Sequence, residues 1–170
     1  MVYLVQVRQF LLVCIAILIT TACSGGPPSA ALASPTIHAS QSGAAVIDGG
    51  CGSTPVLKGG ALSWMQYLDI PYVLGTPPLV GGIIFGFPLR AGHPTNPANK
   101  ILWEVGASPY GPSLDITAHP VGQPTASVSQ SIGFLSSGEL PSIVDVPSPG
   151  CWHFDLVWSG HHAVVELVYR

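Results

Sequence analysis

The stretch from Ser148 to Arg170 limits what this chain can become more than any other. Trp152, Phe154, Leu156 and Trp158 alternate with Cys151, His153, Asp155 and Val157, the two-residue period of a half-buried strand. Ser159-Gly160 is a two-residue turn signal, weaker than Asn-Gly because serine resists positive φ. The return run from His162 to Tyr169 is rich in β-branched and aromatic residues, as strands are. A hairpin looped at that turn sets Trp158 opposite His161, Leu156 opposite Ala163, Phe154 opposite Val165 and Trp152 opposite Leu167. A slip of one residue would send each large apolar side chain to the wrong face, so the register is specified. The other face then pairs Val157 with His162, Asp155 with Val164, His153 with Glu166 and Cys151 with Val168. Cys151 therefore lies opposite the tryptophans, and whatever it bonds must cover that second face. The pattern predicts a two-layer sandwich or a covering segment.

Upstream, shorter runs repeat the strand pattern. Val80–Phe87 is a strand whose glycines mark a bulge or a close crossing, and Pro88 confines it to an edge or a strand end. Lys100–Val105 places Ile101, Trp103 and Val105 on one face, and Leu114, Ile116 and Ala118 alternate with Asp115, Thr117 and His119. Thr125–Phe134 reads as a polar edge strand and Pro141–Val146 as a further strand. Cys51–Ile70 lacks alternation and is expected as an irregular flap, or with one short helical turn at Ala61–Leu68. With 20 glycines and 17 prolines, long helices are disfavoured. About seven short strands with turns every eight to twelve residues predict an all-β antiparallel sandwich over residues 51–170. Only 8% of residues are charged and the net charge is −3, which argues against a nucleic-acid partner.

The amino-terminal residues carry an address. The apolar run Phe10–Ile19 follows Arg8 and has the length of a signal-peptide core, too short to span a bilayer comfortably. Thr20-Thr-Ala-Cys23 resembles the lipobox of bacterial lipoproteins. The resemblance implies a signal peptide over residues 1–22 and acylation of Cys23, with the lipid bilayer as partner and the extracytoplasmic face of the cell membrane as location. Acyl chains contribute about 0.8 kcal/mol per buried methylene to such anchoring. An uncleaved anchor or ordinary secretion are the other readings of this run. Residues 23–50, rich in Gly, Pro, Ala and Ser, are expected as a disordered linker in which His38 is solvated. With Cys14 in the signal segment and Cys23 acylated, Cys51 and Cys151 remain as a disulfide pair in an oxidising compartment. A bridge closing a loop of about 100 residues stabilises by roughly 4–5 kcal/mol on the chain-entropy account. The alternative is two free buried thiols.

Two stretches, Pro141-Ser-Ile-Val-Asp-Val-Pro-Ser-Pro-Gly-Cys-Trp152 and Arg90-Ala-Gly-His-Pro-Thr-Asn-Pro-Ala-Asn-Lys-Ile-Leu-Trp103, resemble a set of uncharacterised bacterial lipoproteins and secreted proteins with an immunoglobulin-like domain. The resemblance spans roughly residues 51–170 and implies an extracytoplasmic immunoglobulin-like β-sandwich; it brings no activity with it. Immunoglobulin domains place their core Trp a dozen or so residues after the first Cys. Trp103 lies far beyond that distance from Cys51, and Trp64 has the spacing but sits in a segment without strand character. The expected bridge thus pins an amino-terminal flap and does not cross the core.

Two residue groups are candidate sites. His153 and Glu166, with Asp155 and His162 on the same hairpin face, form a mixed imidazole and carboxylate patch that suits zinc or copper. The plain alternative is a cross-strand pair worth a fraction of a kcal/mol. Arg90, His93, Asn96, Asn99 and Lys100 form the densest polar set, and this loop with His119 suits an anionic or polysaccharide ligand. Its alternative is turn shaping by Asn and Pro. No Gly-x-Ser-x-Gly, His-Glu-x-x-His or phosphate loop occurs, and Asp115 and Asp145 read as isolated carboxylates. The expectation is a lipoprotein that is not an enzyme and needs no cofactor, acting as a binding or envelope-structural module. A metal-, small-ligand- or glycan-binding role is the alternative, and an envelope protein or glycan is the expected partner besides the bilayer.

Overall fold

The computed structural model describes residues 43–106, 111–125 and 128–170. The expected signal peptide, Cys23 and the linker through residue 42 lie outside the described residues.

Among the described residues, ten strands form two antiparallel sheets. They are β1 (Ala44–Ile47), β2 (Val56–Gly59), β3 (Tyr72–Leu74), β4 (Val80–Ile84), β5 (Lys100–Val105), β6 (Ser113–Pro120), β7 (Val128–Gly133), β8 (Glu139–Ile143), β9 (Gly150–Trp158) and β10 (His161–Tyr169). One sheet has the order β1-β2-β3-β4-β5-β8 and the other β10-β9-β6-β7. No helix occurs among the described residues, and none is long and apolar enough to cross a membrane.

The carboxy-terminal hairpin adopts the expected register, from His161 opposite Trp158 to Val168 opposite Cys151. Ser159 and Gly160 both take positive φ, 44° and 80°, so the turn twists with its strands. Trp152, Phe154, Leu156 and Trp158 are buried, each worth about 1.5–3 kcal/mol when removed from water. Misplacing all four would cost roughly 6–12 kcal/mol, as much as the ~5–15 kcal/mol that separates a folded domain from its unfolded chain. Facing them across the core are Val73, Ile84, Ile101, Trp103 and Leu140 from the six-stranded sheet. The Trp103 indole donates to Ser142 Oγ at 3.0 Å.

Three short strands precede β4: β1 and β2 were not expected, and β3 lies in Pro71–Leu79, a stretch that reads from the sequence only as extended. They are three or four residues long and lack alternation. β3 is buried on both faces because a flap, residues 61–70, covers the outside of its sheet. β1 falls in the stretch expected as linker: its backbone pairs with β2 from Ala44 opposite Gly59 to Ile47 opposite Val56. The sandwich thus starts before Cys51, because backbone pairing needs no distinctive side chains. β8 begins two residues earlier than expected, and Val144 and Val146 fill the core from the connection that follows it. β7 is an edge strand as its polarity implies. In β4 the glycines serve close approach: a Cβ on Gly82 would stand 2.7 Å from the Trp103 ring, and one on Gly81 would strike Met65 of the flap.

Candidate metal site on the outer face of the β9–β10 hairpin

Strand alternation turns His153 and Asp155 of β9 away from the buried tryptophans, and His162 and Glu166 of β10 with them. β6 adds His119 to the same surface, because His119 stands directly opposite His153 in the β6–β9 ladder. One rung of the sheet therefore reads His119, His153, Glu166. The two imidazoles stack with centroids 4.8 Å apart and planes 21° apart.

The hydrogen bonds assign a tautomer to each ring. His119 Nδ1 lies 3.1 Å from the Pro120 carbonyl, which can only accept, so Nδ1 carries the proton and Nε2 keeps its lone pair. His153 Nδ1 lies 3.3 Å from Glu166 Oε1, so again Nδ1 donates and Nε2 is left basic. A carboxylate behind an imidazole is the usual support of a metal-bound histidine. Glu166 is suited to that task. Its Oε2 accepts the Ser53 N–H at 2.9 Å, and this bond, against partial burial and with help from His153, holds the carboxyl below the usual carboxylate range.

Asp155 completes the set. One ligand atom each from His119, His153 and Asp155 lies within 4.8 Å of the others, and all three residues are half-buried. His153 Nε2 is 3.7 Å from Asp155 Oδ1, and His162 Nε2 donates to the same oxygen at 2.8 Å. Zinc at about 2.0–2.1 Å from each ligand separates tetrahedral ligands by about 3.3 Å, so the three groups close by up to about 1.5 Å around an ion. Two imidazoles and a carboxylate suit zinc or copper and leave coordination positions open.

The supporting shell is held by the disulfide. Cys51 and Cys151 are bridged with Cα atoms 6.0 Å apart, on the face away from the tryptophans. The segment it tethers lies along β10: Cys51 N–H donates to the Glu166 carbonyl at 3.3 Å, Val168 N–H to Gly49 at 2.9 Å and Glu166 N–H to Thr54 Oγ1 at 2.9 Å. Gly52 has a positive φ, 57°, and a Cβ there would collide with the Glu166 carboxylate. Glycine is thus required where the tethered segment meets the supporting group.

The 90–100 loop is built differently. Asn99 is fully buried; its Oδ1 accepts the Arg90 N–H at 3.0 Å, and its Nδ2 donates to the Arg90 carbonyl at 2.7 Å and to Asp145 Oδ1 at 2.8 Å. His93 Nδ1 meets Asp145 Oδ2 at 2.8 Å. Asn96 precedes a cis proline, Pro97, and the Lys100 ammonium stands 5.1 Å from the Phe85 ring centroid. Asn99 and His93 are thus turned on the loop backbone and on Asp145, while the Arg90, Asn96 and Lys100 side chains are exposed. His119, grouped with the loop on sequence grounds, belongs spatially to His153 on the other sheet. Alternation already pointed His119 outward, but the pairing of β6 with β9 has no local signal.

No protein family matches the sequence, and no curated protein matches it. Among solved structures, the fold is similar to a crystal structure from Bacillus anthracis described as a "putative lipoprotein", with a TM-score of 0.46 and 19% identity over 63% of this chain and 83% of that one.

Proposed function

We propose that this protein is a lipid-anchored extracytoplasmic lipoprotein whose immunoglobulin-like sandwich captures a transition-metal ion, zinc or copper, at His119, His153 and Asp155. The observation that carries this reading is the grouping of one ligand atom each from His119, His153 and Asp155 within 4.8 Å, with Nδ1 of each imidazole already engaged by a carbonyl or carboxylate oxygen. Glu166 acts behind the site: it orients His153 and raises its basicity as a ligand. The disulfide-tethered segment 49–54 holds Glu166 in place. The open coordination positions suit an ion that is held and passed on, and the reading involves no catalytic step. The anchor rests on the Thr20-Thr-Ala-Cys23 motif alone.

Isothermal titration of the purified protein with ZnCl2 and with CuCl2 tests the metal reading. One ion per chain is expected, copper bound more tightly than zinc in keeping with the general affinity order. The double variant His119→Ala, His153→Ala should lose binding while keeping its melting transition. Undiminished affinity in that variant would remove the assignment. Mass spectrometry of the amino-terminal peptide, with Cys23→Ser as control, tests the lipid anchor.

A further inference from the structure

A second site lies on the opposite side of the molecule, on the outer face of the six-stranded sheet. Trp103 and Val105 of β5 face the core, so Leu102 and Glu104 face outward. Both are covered by the flap 61–70. The flap is seated by two glycines: Met65 over Gly81, and the Trp64 indole against Gly106, where a Cβ would come within 2.9 Å of the ring. Glu104 is only 8% exposed. Its Oε2 accepts the Gln66 N–H at 3.2 Å, whereas its Oε1 is buried and has no partner among the described residues. Glu139 of β8 stands directly opposite Glu104 in the ladder and accepts a hydrogen bond from Ser137 Oγ at 3.1 Å. Among the described residues neither carboxylate has an ion-pair partner.

A cavity of about 120 Å³ is lined by Trp64, Gln66, Glu104, Ser137 and Glu139. Burying a carboxylate with an orphaned oxygen beside a second carboxylate is costly unless positive charge joins them. Burial pushes the Glu104 carboxyl up; the Gln66 N–H opposes this, and the Glu139 charge adds to it. Calcium asks for six to eight oxygens, more than two carboxylates and a hydroxyl supply. Trp64 lines the cavity beside the two carboxylates, and an indole next to negative charge suits an organic cation.

We infer that the Trp64–Glu104–Glu139 pocket binds an alkylammonium group, the head of a choline-like or methylated-amine ligand.

Titration of the intact protein with choline chloride, followed by calorimetry and by the NMR shift of the Trp64 indole, tests this. Saturable binding that moves the Trp64 resonance is expected, with the neutral isostere 3,3-dimethyl-1-butanol weaker by about tenfold or more because it lacks the charge. Glu104→Gln and the more exposed Glu139→Gln should each weaken choline by about tenfold, while His153→Ala leaves it unchanged. Vesicles of phosphatidylcholine compared with free choline separate a lipid headgroup from a soluble amine, and binding of either supports the assignment. Equal binding of the neutral alcohol overturns it. So does wild-type affinity in a folded Glu139→Gln protein, calcium binding without choline binding, or no saturable choline binding at all.

Discussion

Glu166 and His153 face one another across the carboxy-terminal hairpin, with Oε1 3.3 Å from Nδ1, while the second carboxylate oxygen of Glu166 accepts the Ser53 N–H 113 residues away in sequence. The histidine is thereby oriented by a segment that the disulfide holds down. Glu166→Gln keeps an acceptor for His153 but loses the charge and the acceptor for Ser53. It should lower zinc affinity by about 10–100-fold, read by calorimetry, with the thermal unfolding transition retained.

Glu166 also contributes to acid stability. Its carboxyl is held below the ordinary carboxylate value in the folded state, chiefly by the Ser53 N–H. The stabilisation is therefore present above the unfolded-state value of about 4.3 and is lost as pH falls through the lowered folded value. Urea midpoints of wild type and Glu166→Gln should differ at about pH 6 and converge towards about pH 3. A constant difference across that range would contradict the assignment.

Removing the Cys51–Cys151 bridge opens a loop of 100 residues. The double variant Cys51→Ser, Cys151→Ser should lose up to about 4–5 kcal/mol in urea unfolding. If it stays folded, it should also bind zinc more weakly, because Ser53 no longer holds Glu166. Zinc affinity equal to wild type would show that the tethered segment does not support the site.

The buried amide of Asn99 has three hydrogen bonds, two to Arg90 and one to Asp145. Asn99→Ala strands those partners and should cost about 1–3 kcal/mol, measured by chemical denaturation. Metal affinity should not change, which separates the structural loop from the site on the other sheet.

At Gly82 the neighbouring Trp103 ring leaves no room for a methyl group. Trp103 is fully buried and tied to Ser142, so it cannot swing aside freely. Gly82→Ala should therefore destabilise the sandwich by about 1–3 kcal/mol through overpacking. A denaturation midpoint as high as wild type would show that the ring can shift.

Several features were legible in the sequence because they are local. Alternation of period two with a two-residue turn determined the register of β9 and β10, and with it the shared face of His153, Asp155, His162 and Glu166. The same register placed Cys151 away from the tryptophans, so a bridge to Cys51 had to run outside the core. β1 and β2 escaped notice, and β3 read only as extended, because three or four residues with both faces covered, or with neither, show no alternation.

What only the tertiary structure decided is which distant elements lie side by side. His119 and His153 become neighbours because β6 pairs with β9, and Ser53 reaches Glu166 because a disulfide pins the segment around Cys51 along β10. Sequence periodicity determines which way a side chain points, since that depends on the residue's own backbone. Which partner it meets depends on how the sheets close around one core, a balance of burial over the whole domain that no short window contains.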